Sequence, residues 1–277
     1  MISDKSTGLF KDSLPKLPYL YSLTIDSSKC KLIGDETLKS LAVCLSNSQV
    51  QKISLNFALC DKITDNGIVS LLNSMSALRL QSLELSFAGQ VSKLISSGHC
   101  DKITDACFDG LQKVLYNGKL LKRLMLEFPY CSKITDNGLN TIKEALKFTS
   151  ALEYLVVNFE GCEKVTDHSV NYLRKGLKHM TELKYLMINL SYCKEITDNG
   201  IGYLHEAVKD MKALEHIVLK LFNCKISEIG LGYLKDILKS SNSMETLTLH
   251  FEKLQKEIAK IQKEFIFKKR FVAEKNP

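Results

Sequence analysis

The 277-residue sequence lacks the features that mark membrane-spanning and exported proteins. No stretch approaches the ~18 to 20 uninterrupted apolar residues that a transmembrane helix needs, so we expect no membrane span. The first twenty residues contain no Arg, include Asp4 and Asp12, and have no long apolar block. They resemble neither a secretory signal nor a transit peptide. These absences favour a cytoplasmic protein, with organelle or cytoskeletal association left open.

Motifs for catalysis and metal binding are also missing. The nine cysteines form no CxxC or CxxH pair, and the six histidines stand in no HExxH or Cys-His arrangement. No glycine-rich phosphate loop is present. We therefore expect no enzyme activity, no bound metal and no cofactor. A reducing compartment also argues against disulfides.

Charge is scarce over most of the chain and concentrated at one end. The formal net charge is +7, and residues 252–277 hold eight Lys or Arg against four Glu, which is +4 of that total. The remaining 251 residues carry only +3. A basic tail on a nearly neutral body indicates an anionic partner.

What the sequence has in abundance is one phrase, which reads "CDKITDNGI" at 60–68, "CSKITDNGL" at 131–139 and "CKEITDNGI" at 193–201. The cysteines that begin its seven copies lie at 30, 60, 100, 131, 162, 193 and 224, at intervals of 30, 40, 31, 31, 31 and 31. An eighth copy has Leu254 in place of cysteine. A fixed period of this length is typical of solenoid proteins.

Each copy predicts a strand, a turn and a helix. Before the cysteine, apolar residues alternate, as at Leu186, Ile188 and Leu190, which is typical of a strand with one buried face. After the phrase, apolar residues recur every three or four positions, as at Ile201, Leu204 and Val208, which predicts a helix. Either Thr197 or Asp198 is suited to cap that helix.

The "LxxLxL…C…ITDxGL" pattern resembles leucine-rich repeats and is closest to the cysteine-containing subtype, with helices similar to those of ribonuclease-inhibitor-like repeats. The resemblance covers about residues 20–251. An extra x-Phe or x-Leu pair before the cysteine and the period of 31 depart from the usual phrase, so we expect longer strands or a wider turn. The resemblance implies an α/β solenoid, a horseshoe with a parallel β-sheet on its concave face and α-helices on its convex face.

The predicted organisation has three parts. Residues 1–19 form an N-terminal cap segment, and residues 20–251 form a solenoid of about eight strand units with an insertion near 88–99. Residues 252–277 form a C-terminal capping helix and a basic tail. The motif cysteines are expected to be buried structural residues, because cysteine is small and demands few hydrogen bonds.

The candidate binding residues lie on the concave face and in the tail. Side chains between the core positions of a strand point to the opposite face of the sheet. An apolar row on that face, extended by Phe222, suggests partner contact, although strand-forming residues also favour such positions. The concave candidates are Met125, Val156, Met187, Val218, Phe222, Asn158 and Asn189, where the asparagines form a polar column. The tail candidates are Lys268, Lys269, Arg270 and Phe271.

The predicted function is a non-catalytic protein–protein interaction scaffold or a structural subunit of a multi-subunit complex. It would bind protein partners through the concave face, the rim insertion and the basic tail. Two alternatives stay open. A substrate-recognition adaptor of a ubiquitin ligase is suggested because many cysteine-containing repeat proteins follow an F-box. An RNA-associated subunit of a ribonucleoprotein particle is suggested by the mixed aromatic and basic run "FIFKKRFV".

Overall fold

The computed structural model describes residues 4, 17, 19–89, 100–240, 246–250 and 270–273. Its strands are β1 Ser22–Asp26, β2 Lys52–Asn56, β3 Ser82–Ser86, β4 Arg123–Glu127, β5 Tyr154–Asn158, β6 Tyr185–Asn189, β7 His216–Lys220, β8 Thr246–His250 and β9 Arg270–Ala273. Its helices are α1 Asp35–Leu45, α2 Asp65–Met75, α3 Leu111–Tyr116, α4 Asp136–Leu146, α5 Asp167–Leu177, α6 Asp198–Val208 and α7 Glu228–Ser240. A 3-10 turn, Asp105–Phe108, precedes α3.

The strands form one parallel sheet in the order in which they occur along the chain. Equivalent repeat positions are paired, as in Leu124 with Leu155 and Leu155 with Leu186. Consecutive helices pack against each other on one side of this sheet. Because strands lie ~4.8 Å apart and helices need ~8–10 Å, the sheet lines the inside of the arc. The predicted leucine-rich-repeat-like solenoid is confirmed.

Strand β9 lies where the sequence predicts a basic tail, and it is one strand more than the eight expected. It pairs in parallel with β8, with Phe271 opposite Leu247 and Ala273 opposite Leu249. Phe271 and Ala273 thus occupy the positions of the core leucines in the other strands. Because no Cys-x-x-Ile-Thr-Asp motif follows them, the repeat pattern in the sequence did not predict this strand. Pairing satisfies backbone groups along an edge of β8 that would otherwise stay open. The predicted capping helix lies outside the described residues.

The core consists of columns formed by identical positions in successive repeats. In β2 to β7 the second and fourth residues are buried, and so is the apolar residue that follows each of these strands. Four of these following residues are phenylalanines whose rings stack at 5.9, 5.6 and 6.1 Å between centroids: Phe57, Phe87, Phe128 and Phe159. Within the described ranges, every helix is too short or too polar to span a lipid bilayer.

The extra residue pair before each cysteine extends the ladder of hydrogen bonds beyond the strand. After β4, the Phe128 amide donates to the Asn158 carbonyl at 2.8 Å and the Tyr130 amide to the Glu160 carbonyl at 2.6 Å. The residue just before the cysteine then takes a left-handed conformation, with φ of 60° at Tyr130 and 69° at Gly161. This reversal leads the chain into the turn and accounts for the unusual spacing.

The motif cysteines tie neighbouring repeats together through their thiols. Cys162 Sγ donates to the Phe128 carbonyl and Cys193 Sγ to the Phe159 carbonyl, both at 3.2 Å. Both side chains are fully buried, and burial raises the pKa of the Cys162 thiol to about 12. All nine cysteines lie among the described residues and are free thiols. Four of the seven motif cysteines are buried as predicted, namely Cys60, Cys131, Cys162 and Cys193, whereas Cys30, Cys100 and Cys224 are only partly buried.

Because the thiolate is the reactive form, Cys162 should react with iodoacetamide at least ~100-fold more slowly in the folded protein than in the unfolded chain at mildly alkaline pH. The measurement is time-resolved alkylation followed by peptide mass spectrometry. Cys30, which is only partly buried, serves as an internal control and should be labelled first. Equal rates for Cys162 and Cys30 in the folded protein would contradict this assignment.

The Thr-Asp pair of the phrase links each helix to the helix before it. Thr197 caps α6 by accepting a hydrogen bond from the Asn199 amide at 3.2 Å. Its own amide and hydroxyl donate to the Asp167 carboxylate of the preceding repeat, at 2.8 and 2.6 Å. Asp198 in turn accepts from the amide of Ser227 in the next repeat. Thr is therefore the cap, and Asp is the link between repeats.

The glycine of the phrase makes room for that carboxylate. A Cβ atom on Gly200 would lie 2.6 Å from Asp167 Oδ1, and one on Gly138 would lie 2.7 Å from Asp105 Oδ1. In the repeat that has Ser169 instead, the hydroxyl donates to Asp136. The phrase recurs because its threonine, aspartate and glycine form one contact that spans two repeats.

Asp4 completes this series at the start of the solenoid. Its carboxylate accepts hydrogen bonds from the Gly34 amide at 2.8 Å and the Thr37 hydroxyl at 2.6 Å. In later repeats, the groups at the start of the helix donate instead to the aspartate at the start of the preceding helix, as Thr197 does to Asp167. The segment before β1 therefore supplies the carboxylate that the first repeat would otherwise lack. Most of the predicted cap, residues 1–19, lies outside the described residues.

Candidate functional site

The concave face of the sheet carries two neighbouring columns of side chains across β4 to β7. They come from the first and third residues of each strand, which point away from the helices. We call these eight residues the concave patch: Arg123, Met125, Tyr154, Val156, Tyr185, Met187, His216 and Val218. In parallel register, each column places its side chains at the ~4.8 Å spacing of adjacent strands.

The third-residue column is the apolar row predicted from the sequence. The register places Met125 beside Val156, Val156 beside Met187, and Met187 beside Val218. The two methionines and Val218 are half-buried, but Val156 is only 1% exposed, so the expectation that all four are open to solvent is wrong for this residue. A short side chain between two longer methionines is hidden at this spacing. The row is thus continuous, but its solvent-accessible surface comes from Met125, Met187 and Val218 and not from Val156.

The column formed by the first residue of each strand contains the planar side chains of Arg123, Tyr154, Tyr185 and His216. It was not predicted from the sequence. The Arg123 guanidinium lies 3.6 Å from the centroid of the Tyr154 ring. The Tyr154 and Tyr185 rings are nearly parallel with centroids 4.2 Å apart, and the His216 ring follows at 6.4 Å, tilted by 48° against Tyr185. All four side chains are half-buried. Such cation–π and aromatic contacts hold the rings in fixed positions.

Burial and, to a smaller extent, the neighbouring Tyr154 phenol raise the pKa of Tyr185 to about 12. The far end is held by a hydrogen bond between His216 Nδ1 and Thr246 Oγ1 at 2.8 Å. At the near end, Arg123 forms an ion pair with Glu84, whose other oxygen accepts a hydrogen bond from the Ser54 hydroxyl at 3.0 Å. The stack is therefore anchored at both ends.

An ionic bridge borders the concave patch where the strands begin. Glu153, which precedes β5, accepts hydrogen bonds from the ammonium groups of Lys122 at 2.7 Å and Lys184 at 3.0 Å. These contacts lower the pKa of Glu153 to about 2. The patch thus has an apolar row and an aromatic column with a charged border on one side, and polar groups at the edge of an apolar centre are typical of protein–protein interfaces.

Asn158 and Asn189, predicted as concave binding residues, have structural partners. The side-chain oxygen of each accepts the amide of the residue two positions later, Glu160 and Ser191 respectively, at 3.1 Å. This contact forms the turn after the strand. Asn189 also donates to the Glu160 carboxylate at 2.8 Å and is 2% exposed. Both side chains are engaged by the fold, so we leave them out of the concave patch.

The remaining candidates lie elsewhere. Phe222 is 8% exposed, so it does not extend an open apolar row as the sequence suggests, because it follows β7 in the turn that leads to Cys224. Lys268 and Lys269 lie outside the described residues, as do residues 90–99 of the predicted rim insertion. Arg270 and Phe271 belong to β9. Partner contact by the tail or the insertion stays a prediction.

The chemistry available at the concave patch is that of recognition. It offers ring faces, thioether groups, a guanidinium and phenol hydroxyls on a rigid sheet. Among the described residues, no group of three or more His, Cys, Asp or Glu is placed to hold a metal ion.

No protein-family model matches the chain, and no curated protein sequence matches it. Among solved structures, the chain is similar to "Leiomodin-1 Actin-Binding Site 2 (ABS2)", with 18% sequence identity and a TM-score of 0.41. The match covers 58% of this chain and 90% of that chain. A likeness at this level carries no argument about function, and the assignment of the fold rests on the repeat geometry described above.

Proposed function

We propose that this chain is a non-catalytic scaffold that binds a protein partner through the concave patch. The observation that carries the proposal is the stack of Arg123, Tyr154, Tyr185 and His216 beside a continuous apolar row on the open side of the sheet. Tyrosine, arginine and methionine are enriched in protein interfaces. Tyrosine and arginine also carry much of the binding energy there.

The stacking supports binding for a second reason, which is preorganisation. A side chain that is already fixed in the free protein loses little rotamer freedom when a partner binds. The contacts between Arg123, Tyr154 and Tyr185 restrict these side chains before any partner arrives. A partner segment that suits the patch would place apolar side chains on the methionines and polar groups along the phenol and guanidinium edges.

Two further predictions from the sequence belong to this proposal. The cysteine-containing, ribonuclease-inhibitor-like subtype is supported by the column of buried thiols and by helices of 11 residues such as α4, α5 and α6. Membership of a larger assembly is supported by the breadth of the concave patch, which crosses four strands. The cytoplasmic location stays a prediction from the sequence.

The proposal predicts that the double variant Met187→Glu, Val218→Glu loses its partner while keeping its fold. Two carboxylates would be placed on the apolar row, and burying them without a counter-charge in an interface is costly. Affinity purification with quantitative mass spectrometry should show at least a ~tenfold loss of the main interacting protein, equivalent to ~1.4 kcal/mol or more.

The matched control is Val43→Glu, Ile229→Glu, which makes the same change at two exposed apolar residues on α1 and α7. This control should recover the same partner as the wild-type protein. Thermal unfolding by circular dichroism shows whether both variants remain folded. Undiminished recovery with a folded concave variant would place the binding site elsewhere.

A further inference from the structure

A second surface lies on the helical side of the solenoid, away from the concave patch. A cavity of about 870 Å³ opens between the carboxyl-terminal ends of α5 and α6 and the loops that lead to β6 and β7. We call it the basic groove because six cationic side chains line it: Lys147, Arg174, Lys175, Lys178, Lys209 and Lys212. Two carboxylates, Glu206 and Asp210, also line it, so its formal local charge is +4.

This charge is a large excess for the body of the protein. Residues 1–251 carry a net charge of only +3. The groove residues contribute +4, so all other residues of that segment together have a net charge of −1. A cleft lined by one sign of charge focuses the field and attracts ligands of the opposite sign. The electrostatics therefore favour an anionic ligand at this place on the solenoid.

The helices themselves do not require these cations. Basic residues near a helix carboxyl end stabilise the helix dipole, which is the structural explanation for them. Yet α1 and α2 have the same length as α5 and α6, are followed by Ser46 and Ser76 as caps, and have no basic residue in their last turn. The basic residues are thus concentrated in particular repeats rather than being a property of every repeat.

Some of these cations have no ionic partner within the described part of the chain. Lys147 pairs with Glu144, and Lys209 pairs with Glu206. Lys178 and Lys212 are exposed and form no ion pair or hydrogen bond with any described residue. Their ammonium groups can meet a carboxylate of a ligand without first breaking an internal contact.

The residues at the floor of the basic groove favour an acidic peptide over a nucleic acid as its ligand. The floor is formed by buried apolar residues, including Leu177, Met180 and Met211. The exposed imidazole of His179 also lines it, but no Phe, Tyr or Trp ring does. Single-stranded nucleic acid binding usually combines cations with such rings.

Lysines around an aliphatic floor match a peptide that alternates carboxylate and aliphatic side chains. We propose that the basic groove binds an acidic, Asp- or Glu-rich segment of a protein partner, independently of the concave patch.

The test uses a fluorescein-labelled peptide of repeated Glu-Glu-Leu triplets and a labelled oligouridylate of matched length, with fluorescence anisotropy of the full chain. The wild-type protein should bind the peptide more tightly than the oligouridylate. The variant Lys178→Glu, Lys212→Glu should weaken peptide binding at least ~tenfold, because close charge pairs contribute strongly to such complexes. The more conservative Lys178→Gln, Lys212→Gln should give a smaller loss in the same direction.

The control is Lys133→Glu, Lys164→Glu, which changes the net charge equally at two exposed lysines in the turns after β4 and β5. It should keep peptide binding within about twofold, and so should Met187→Glu, Val218→Glu on the concave face. Circular dichroism confirms the fold of each variant. Equal weakening by groove and control variants, no peptide binding, or tighter binding of the oligouridylate would each overturn the proposal.

Discussion

Replacing Phe128 by alanine is expected to lower the free energy of unfolding by about 3–5 kcal/mol, the range typical of a large cavity in a protein core. Phe128 is 1% exposed, and its ring lies between those of Phe87 and Phe159, at 5.6 and 6.1 Å between centroids. The Phe108 ring meets it edge-on at 4.9 Å. The variant thus removes contacts to the repeats on both sides. Urea unfolding followed by circular dichroism measures the change.

Phe128→Leu is the matched control for this experiment. It keeps an apolar side chain in the column and should cost about half as much or less, because a smaller cavity remains. Leucine already occupies the equivalent position at Leu190 and Leu221, where it is buried. A loss below about 1 kcal/mol for Phe128→Ala would show that the phenylalanine column does not hold the repeats together as described.

Gly200→Ala is expected to lower the free energy of unfolding by about 1–2 kcal/mol, because hydrogen bonds to a charged group, which contribute roughly 1.5–3 kcal/mol each, are weakened here rather than lost. A Cβ atom there would lie 2.6 Å from Asp167 Oδ1 and displace the carboxylate. That carboxylate accepts both the amide and the hydroxyl of Thr197. The better helix propensity of alanine offsets only part of this loss.

Gly200→Ser makes the comparison sharper, because serine is larger than alanine and yet should be less destabilising. In the preceding repeat, the Ser169 hydroxyl donates to the Asp136 carboxylate from this same position. We expect the serine variant to be more stable than the alanine variant by about 1 kcal/mol, the usual net value of one hydrogen bond. If serine were the more destabilising of the two, the link between aspartate and the next helix would not explain the glycine.

These links also bear on function, since they make the concave patch part of a rigid surface. The thiol, aspartate and phenylalanine columns each join one repeat to the next. Strand register is thereby fixed across β4 to β7, and with it the spacing of the Tyr154 and Tyr185 rings. Under the proposed function, a partner would meet a surface whose shape is already set before binding.

The repeat spacing was enough to predict β1 to β8, the helices between them and the solenoid, because each position recurs in a constant local setting. The same regularity placed Met125, Val156, Met187 and Val218 in one row. It could not show that Val156 is covered, because burial on the concave face depends on the reach of neighbouring side chains.

The aromatic column was missed because it lies at the first residue of each strand, just before the apolar alternation begins. Its signal is nevertheless present, since Tyr154, Tyr185 and His216 each precede the first leucine or isoleucine of the strand. The roles of Thr197 and Asp198 could not be separated by spacing alone, because both are good capping residues. Only the three-dimensional stacking shows that one caps its own helix and the other reaches the next repeat.

The most direct test of the account is photo-crosslinking in cells with a benzoylphenylalanine residue in place of Tyr185. Tyr116, which is 62% exposed on α3, provides the control position on the helical side. We predict that position 185 crosslinks to one main protein partner and that position 116 does not. A partner captured only from position 116, or no protein captured from position 185, would contradict the assignment of the concave patch as the binding site.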